Sequence, residues 1–515
     1  MKENSTNPVA GVQNHLQTAF LALVAFSVVT PICSAQIQQA WVARYNNGIT
    51  NGTNQAVKIA LDTNGNIYVT GFSQSTNGNL GYATIKYAPN GNQVWASRFD
   101  STNTVSAKPA GMVLDSSGDI IVTGNAVTVK YDLNGNQLWT APYSGRALAI
   151  QSNANVVVAG CGNSFNTVNL SPQGSNLWTT TYTDVGPTVA QVVAVDLGGN
   201  VYVSGYDIFF VQRSDQEWEI TTIKYGADGV QLWINSDMQW SYALDETLSV
   251  AAAGIDGSGN FIVVYNPMPE TMLGFLTIKY ATNNGAELWK SSYNGAVNWL
   301  VGTTYGLALD SSNNVLLTGQ EYVGIDIGHS TYATCKLNAT GLCVWTNNYP
   351  RPGTVLAVAT AITTDSANNV YVTGYSPGTN SGNDIVTIKY DNNGNQIWLQ
   401  RYNGPGNGDD EGNAIAVDAN GNVYVTGYET TSAGGTEMVV IKYAPGPFLK
   451  KEANGSFMLQ AVGAAGEGFD FQASTDLVNW QDLGTNTADS NGLVQFLDTN
   501  APLFPYRFYL ATPQQ

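Results

Sequence analysis

Eight tryptophans, Trp41, Trp95, Trp139, Trp178, Trp233, Trp289, Trp345 and Trp398, each open a copy of one sentence, at intervals of 54, 44, 39, 55, 56, 56 and 53 residues. In its fullest form the copy reads W-x-x-R-Y, a variable stretch, A-x-A-V-D-x-x-G-N-V-Y-V-T-G, a second variable stretch, then T-I-K-Y-x-x-N-G-N-Q up to the next Trp. A chain of 515 residues outgrows a single compact core unless that core is divided among modules, and a repeat divides it. Only 11% of residues are charged, while Gly, Tyr, Asn, Thr and Val abound, a mix that suits short strands and tight turns rather than helices.

Each copy holds four strand candidates, which in the last full copy are 398–402, 414–418, 423–427 and 439–443. The turn after the Asp and the turn before the Trp keep a constant length, with Asn and Gly supplying positive φ. The other two connections vary. Alternate turns of an antiparallel sheet emerge at the same end, so the variable loops share one face, and binding is expected there. A period near 50 with four strands per copy predicts an all-β fold, an eight-bladed β-propeller over 36–445. Seven blades are the alternative if the third copy, with Gln151 for the Asp and Asn169 for the Lys, is not a blade. The chain begins on a Trp strand at 41–45 and leaves the repeats on a third strand at 439–443. Pairing these two would close the ring and remove open sheet edges. The third copy, and the fifth with Tyr265 in place of the strand-end Gly, are expected to be distorted.

The D-x-x-G-N-V-Y-V-T-G run at 418–427 resembles the signature of the bacterial β-propeller repeat (SBBP) family, and the resemblance covers roughly 36–445. The K-Y-D-N-N-G-N-Q-I-W segment at 389–398 is similar to the tryptophan-docking hairpin of quinoprotein propellers. These resemblances imply that the Trp strand is outermost and the A-V-D strand lines a central channel. After Ala444-Pro445-Gly446-Pro447 the pattern changes, and 446–515 resembles a small C-terminal β-sandwich module appended to exported bacterial proteins.

Residues 1–35 read as a signal peptide: Ala19 to Val29 is apolar apart from Ser27, Pro31 breaks it, and Cys33-Ser34-Ala35 supplies small residues for cleavage. A lipid anchor on Cys33 would need a small residue where Ile32 stands. The expected location is secreted, periplasmic or cell-surface. Lys2 and Glu3 cancel, so the exported chain keeps the net charge of −18, which repels nucleic acid and anionic lipid. No nucleic acid partner and no membrane insertion are expected, and the chain is expected to be a monomer. Cys335 and Cys343 flank the turn at 338–341, so a disulfide across that hairpin is one expectation. Their equivalents in the first copy, Ile85 and Gln93, sit one residue out of register, which leaves the bridge open.

A catalytic lysine is needed once, whereas Lys86, Lys130, Lys224, Lys279, Lys336, Lys389 and Lys442 fill one slot in seven copies, so they build blades. The seven turn Asp residues are structural for the same reason. Asp409, Asp410 and Glu411, in the loop before the last channel strand, are the candidate calcium ligands, an exposed acidic loop being the plainer reading. No other cofactor is expected. The exported chain holds one histidine, His329, which excludes a histidine metal cluster and leaves a Ser-His-Asp triad without a recognisable motif. Trp218, Trp240 and Trp299 fall outside the repeat positions, in variable segments that also carry Tyr206 and Tyr242. They are the ligand-binding candidates, through ring stacking on sugars, against a plain reading as small loop cores. The leading expectation is an exported, non-catalytic binding or scaffold protein whose partner is carbohydrate or another surface protein. The rival is a polysaccharide hydrolase or lyase, which needs carboxylates, or a Tyr and a carboxylate, at the channel mouth.

Overall fold

The computed structural model describes residues 37–515, apart from 102–105, 185, 213–214, 242–248, 267–275, 293–301, 323–329, 350–355, 446–447, 453, 463–465, 490–492 and 515. The signal segment 1–35, Trp299, Tyr242 and His329 therefore lie outside the described residues. Residues 37–445 form one compact unit and 448–513 belong to another.

Among the described residues the larger unit holds eight four-stranded antiparallel sheets. In chain order they span 54–99, 109–141, 147–181, 188–241, 249–292, 302–349, 358–402 and 411–445, and are called the first to eighth sheets below. Seven take their strands consecutively from inner to outer; the eighth has three of its own, and Ile37–Tyr45 is its fourth. That strand runs antiparallel to Thr436–Pro445, with Trp41 opposite Lys442 and Arg44 opposite Val439. Each sheet's innermost strand lies beside the next sheet's innermost strand, and Glu411–Val417 of the eighth lies beside Asn54–Leu61 of the first. The inner strands therefore close a ring, with no sheet left at an open end.

The repeat's apolar runs are buried on both faces because each sheet is packed between two others. Tyr202 and Ile220 of the fourth sheet, for instance, share a core with Phe261, Val263 and Ile278 of the fifth. The repeat Trp fastens sheet to sheet at the constant-turn end. Trp41, Trp95, Trp139, Trp178, Trp233, Trp289 and Trp345 each donate an indole N–H to a carbonyl in the next sheet's last turn, such as Trp95 to Leu133 at 2.8 Å. Each ring lies over that turn's glycine, and a Cβ on Gly91 would stand 2.8 Å from the Trp41 ring. Trp398 is the exception with a reason: the outer strand of the eighth sheet comes from the other end of the repeat region, so no hairpin turn is there to dock on. It packs on Tyr371 and Tyr443 instead.

Lysine and aspartate of the repeat turn out to be one device. The turn Asp accepts backbone N–H groups two and four residues on, as Asp310 does from Ser312 and Asn314 at 2.9 Å. Its other oxygen meets the lysine of the same sheet in Lys130–Asp115, Lys224–Asp196, Lys279–Asp256, Lys336–Asp310 and Lys389–Asp365, at 2.5–3.9 Å. Burial alone would raise the Asp310 carboxyl; the Lys336 ammonium and Asn314 outweigh it and hold it below the usual range. In the third sheet both partners change together, and Asn169 donates to Gln151 at 3.2 Å, a neutral bond in place of the ion pair. The third sheet is short but keeps the register of the others rather than being distorted, and this bond preserves the link between its inner and third strands. The fifth sheet is regular too, and its Tyr265 is fully buried with its hydroxyl donating to Asp237.

The smaller unit has two three-stranded sheets, one ordered 448–451, 457–462, 493–498 and the other 481–487, 468–474, 508–513. Leu459 and Val494 of one and Phe469, Phe471 and Tyr509 of the other form a single apolar core. Among the described residues no helix is long and apolar enough to cross a membrane.

Candidate functional site

With the repeat's Asp, Lys and Trp consumed inside and between sheets, chemistry is left to side chains at the variable-loop end. The channel inside the ring encloses about 370 Å³ and is lined by Ile59, Val192, Ala252, Leu307, Ile362 and Ile415 among other small and apolar side chains. Among the described residues that line it, Lys58 is the one cation. Its register equivalents, opposite the same position of the second strand, are Gly111, Ala147, Val192, Ala252, Gly306, Ala361 and Ala414. The Lys58 side chain meets the channel's solvent yet is surrounded by protein, and that burial lowers its ammonium below the usual value.

At the channel mouth four tyrosines and two carboxylates gather from three consecutive sheets. Tyr305 belongs to the sixth sheet's inner strand, lines the channel and is 45% exposed. Tyr322, Tyr375 and Tyr428 stand at the variable-loop ends of the second strands of the sixth, seventh and eighth sheets. Glu411 opens the eighth sheet's inner strand, directly opposite Tyr428 on the second strand. Burial, then the Glu411 charge and the neighbouring tyrosines and Asp409, push the Tyr375 phenol up to about 12. Tyr428 rises as well, through burial first and the charges of Glu411 and Asp409 after it. Burial also raises the Glu411 carboxyl. The arrangement offers ring faces for stacking and carboxylates as acceptors, a set suited to polyhydroxylated ligands. Elsewhere on this end, where the third sheet's connections are shortest, Lys108 and Arg146 line a cleft of about 600 Å³.

The residues singled out from sequence fare unevenly. Asp409, Asp410 and Glu411 do not converge into a cation cage. Asp409 accepts the Asn383 N–H at 2.9 Å, and the fully buried Asp410 accepts from Gly404 and Thr430 at 2.5 and 2.8 Å, so both are loop fasteners. Adjacent side chains in an extended segment point to opposite sides, which is why Asp410 turns away from Asp409 and Glu411. Trp218 and Trp240 lie on strands rather than in loops. The fourth sheet's outer three strands run on to Gln212, from Asp215 and to Ser241, placing Trp218 opposite Gln239 and Trp240 opposite Glu217. Tyr206 is half-buried against the core shared by the fourth and fifth sheets. The Cys335–Cys343 bridge is not formed: both thiols are free, Cys335 buried opposite Thr346 and Cys343 exposed opposite Leu337. The register offset between them comes from the bulge at Lys336/Leu337. The tyrosine rim was missed because Tyr375 and Tyr428 each follow the T-G of the repeat and so look like filler; Phe72, Tyr206 and Gln320 occupy the same position.

Residues 397–428 match the profile of the SBBP beta-propeller repeat family. No curated protein matches the chain. Similar solved structures include the WD40 domain of SCAP from fission yeast (7% identity, covering 75% of this chain and 87% of that one, TM-score 0.37). They also include YCF48 bound to D1 peptide (10%, 66% and 92%, TM-score 0.37) and a puromycin hydrolase (10%, 75% and 59%, TM-score 0.40). The ring of four-stranded sheets makes the chain a β-propeller, and its residues 397–428 carry the repeat that the SBBP family model describes.

Proposed function

We propose that the protein is an exported, non-catalytic β-propeller that binds carbohydrate at the channel mouth, through Tyr305, Tyr375, Tyr428 and Glu411. The observation that carries this reading is the gathering of Tyr305, Tyr322, Tyr375 and Tyr428 with Glu411 and Asp409 at the end of the sheets whose loops vary. Polar groups of the repeat itself are engaged in holding the sheets, so this rim is where side chains remain to face a ligand. The test is retention of residues 36–515 on a panel of soluble and insoluble polysaccharides, neutral and acidic. Each of Tyr375→Ala and Tyr428→Ala is expected to weaken retention roughly 2- to 10-fold, the size of one aromatic stacking contact. Silence across the panel, with binding to surface proteins only, would replace carbohydrate by a protein partner.

One observation favours a second reading. The Tyr428–Glu411 pair, face to face on neighbouring strands, is the kind of phenol and carboxylate that a polysaccharide lyase or hydrolase needs at the channel mouth. Release of new reducing ends that disappears in both Tyr428→Phe and Glu411→Gln would establish turnover; retention without release supports the binding protein.

A further inference from the structure

In the eighth sheet two acids face each other across neighbouring strands, Glu429 opposite Glu437, and a guanidinium neutralises them. Arg44, on the outer strand, bonds Glu429 at 2.5 Å and lies 3.6 Å from Glu437. Tyr402, from the outer strand of the preceding sheet, bonds both Glu429 and Arg44. Like charges directly opposite each other destabilise a strand pair, so the cation is integral to this arrangement.

The fourth sheet repeats the arrangement residue for residue, with one change. Asp207 stands opposite Glu219 as Glu429 stands opposite Glu437, each five residues from the repeat's Tyr and Lys. Tyr182 takes the place of Tyr402, four residues after the Trp of the preceding sheet. Opposite Thr221, where the eighth sheet has Arg44 opposite Val439, stands Ser236. The guanidinium is thus replaced by a hydroxyl while both acids stay, and a third carboxylate joins them. Asp184, Asp207 and Glu219 each bring an oxygen within 4.8 Å of the others. Among the described residues neither Asp207 nor Glu219 has an ion-pair partner. Asp207 is fully buried; one of its oxygens accepts from Thr221 at 2.7 Å, and the other, Oδ1, is buried without a hydrogen-bond partner among the described residues. An acceptor of this kind costs free energy unless something positive meets it.

We propose that Asp184, Asp207 and Glu219 form a divalent-cation site of the calcium class, set where the Arg44 guanidinium sits in the eighth sheet. Its donors are all oxygens: three carboxylates, with the hydroxyls of Tyr182, Thr221 and Ser236 at hand. Such a set suits a hard cation and offers no nitrogen or sulfur for zinc or copper. Burial first, and then the charges of Glu219 and Asp184, raise the Asp207 carboxyl to about 6.

Calorimetric titration of the exported chain with calcium chloride, after chelation and dialysis, tests the proposal. One calcium per chain is expected, with a melting midpoint that rises with calcium concentration. Asp207→Asn should weaken binding at least tenfold. Ser236→Arg should do the same while keeping the fold, because it installs the guanidinium that the eighth sheet already accommodates. Should Asp207→Asn fail to fold, Ser236→Arg and Glu219→Gln decide. Absence of uptake at millimolar calcium, uptake of zinc in preference to calcium, or binding undiminished in Ser236→Arg would each overturn the site.

Discussion

Gly91→Ala and Gly421→Ala, compared side by side, test how the sheets are fastened. Both glycines sit in constant turns with similar positive φ, 86° and 77°. They differ in what lies above them. A Cβ at Gly421 meets nothing within 4 Å, whereas one at Gly91 meets three atoms of the Trp41 ring at 2.8, 3.0 and 3.1 Å. Alanine at this φ costs about 1–2 kcal/mol, offset by about 0.4–1 kcal/mol from the stiffer unfolded chain. Gly421→Ala should therefore destabilise by about 1 kcal/mol. At Gly91 the ring must tilt, which adds about 1–3 kcal/mol of overpacking. It also strains the Trp41 bond to the Pro89 carbonyl, 3.2 Å long, worth about 1 kcal/mol. The expected gap between the two variants is about 2–4 kcal/mol. Urea unfolding followed by tryptophan fluorescence measures both. Equal losses would mean that the Trp41 ring does not fasten the eighth sheet to the first, and the reasoning would fail.

The exchange of an ion pair for an amide pair in the third sheet predicts a double-mutant cycle. Gln151→Asp and Asn169→Lys should each cost about 3 kcal/mol by burying one unpaired charge, while the double substitution returns to within about 1 kcal/mol of the parent; additive losses would refute the pairing. Asp207 predicts a pH dependence. Its folded pKa, about 6, lies above the unfolded value, so its contribution is complete below the unfolded pKa and is lost as pH rises through 6. In chelator, Asp207→Asn should therefore exceed the parent in stability at pH 7.5 by up to about 3 kcal/mol, with that advantage gone at pH 4. A pH-independent difference in melting would contradict the buried carboxylate.

The architecture was legible because repetition separates structural from functional residues. A lysine met seven times builds blades, and its slot alone said so. Its partner was harder to see, since the turn Asp lies on the far side of a hairpin, and only the correlated change to Gln151 and Asn169 hinted at the pairing. The candidate rim was hidden for the opposite reason: Tyr375 and Tyr428 sit in repeat positions and gain meaning only when neighbouring sheets bring them to Glu411 and Tyr305. Asp207 and Glu219 were concealed likewise, because their significance lies in what Ser236 has replaced. Trp218 and Trp240 were misplaced because a segment of variable length was read as loop. Strands of eleven residues continue the ladder through it.

The central claim is that the first strand completes the last sheet, and a crosslink tests it most directly. In a background with Cys161, Cys335 and Cys343 replaced by Ser, Ala43→Cys is combined with Val440→Cys, its register partner, or with Glu437→Cys, three residues out of register. Directly opposed strand residues stand about 4.5–5.5 Å apart, within reach of a disulfide. Oxidation should join the 43–440 pair within one chain and leave the 43–437 pair reduced; a failure of the first, or equal yields from both, would contradict the closed ring.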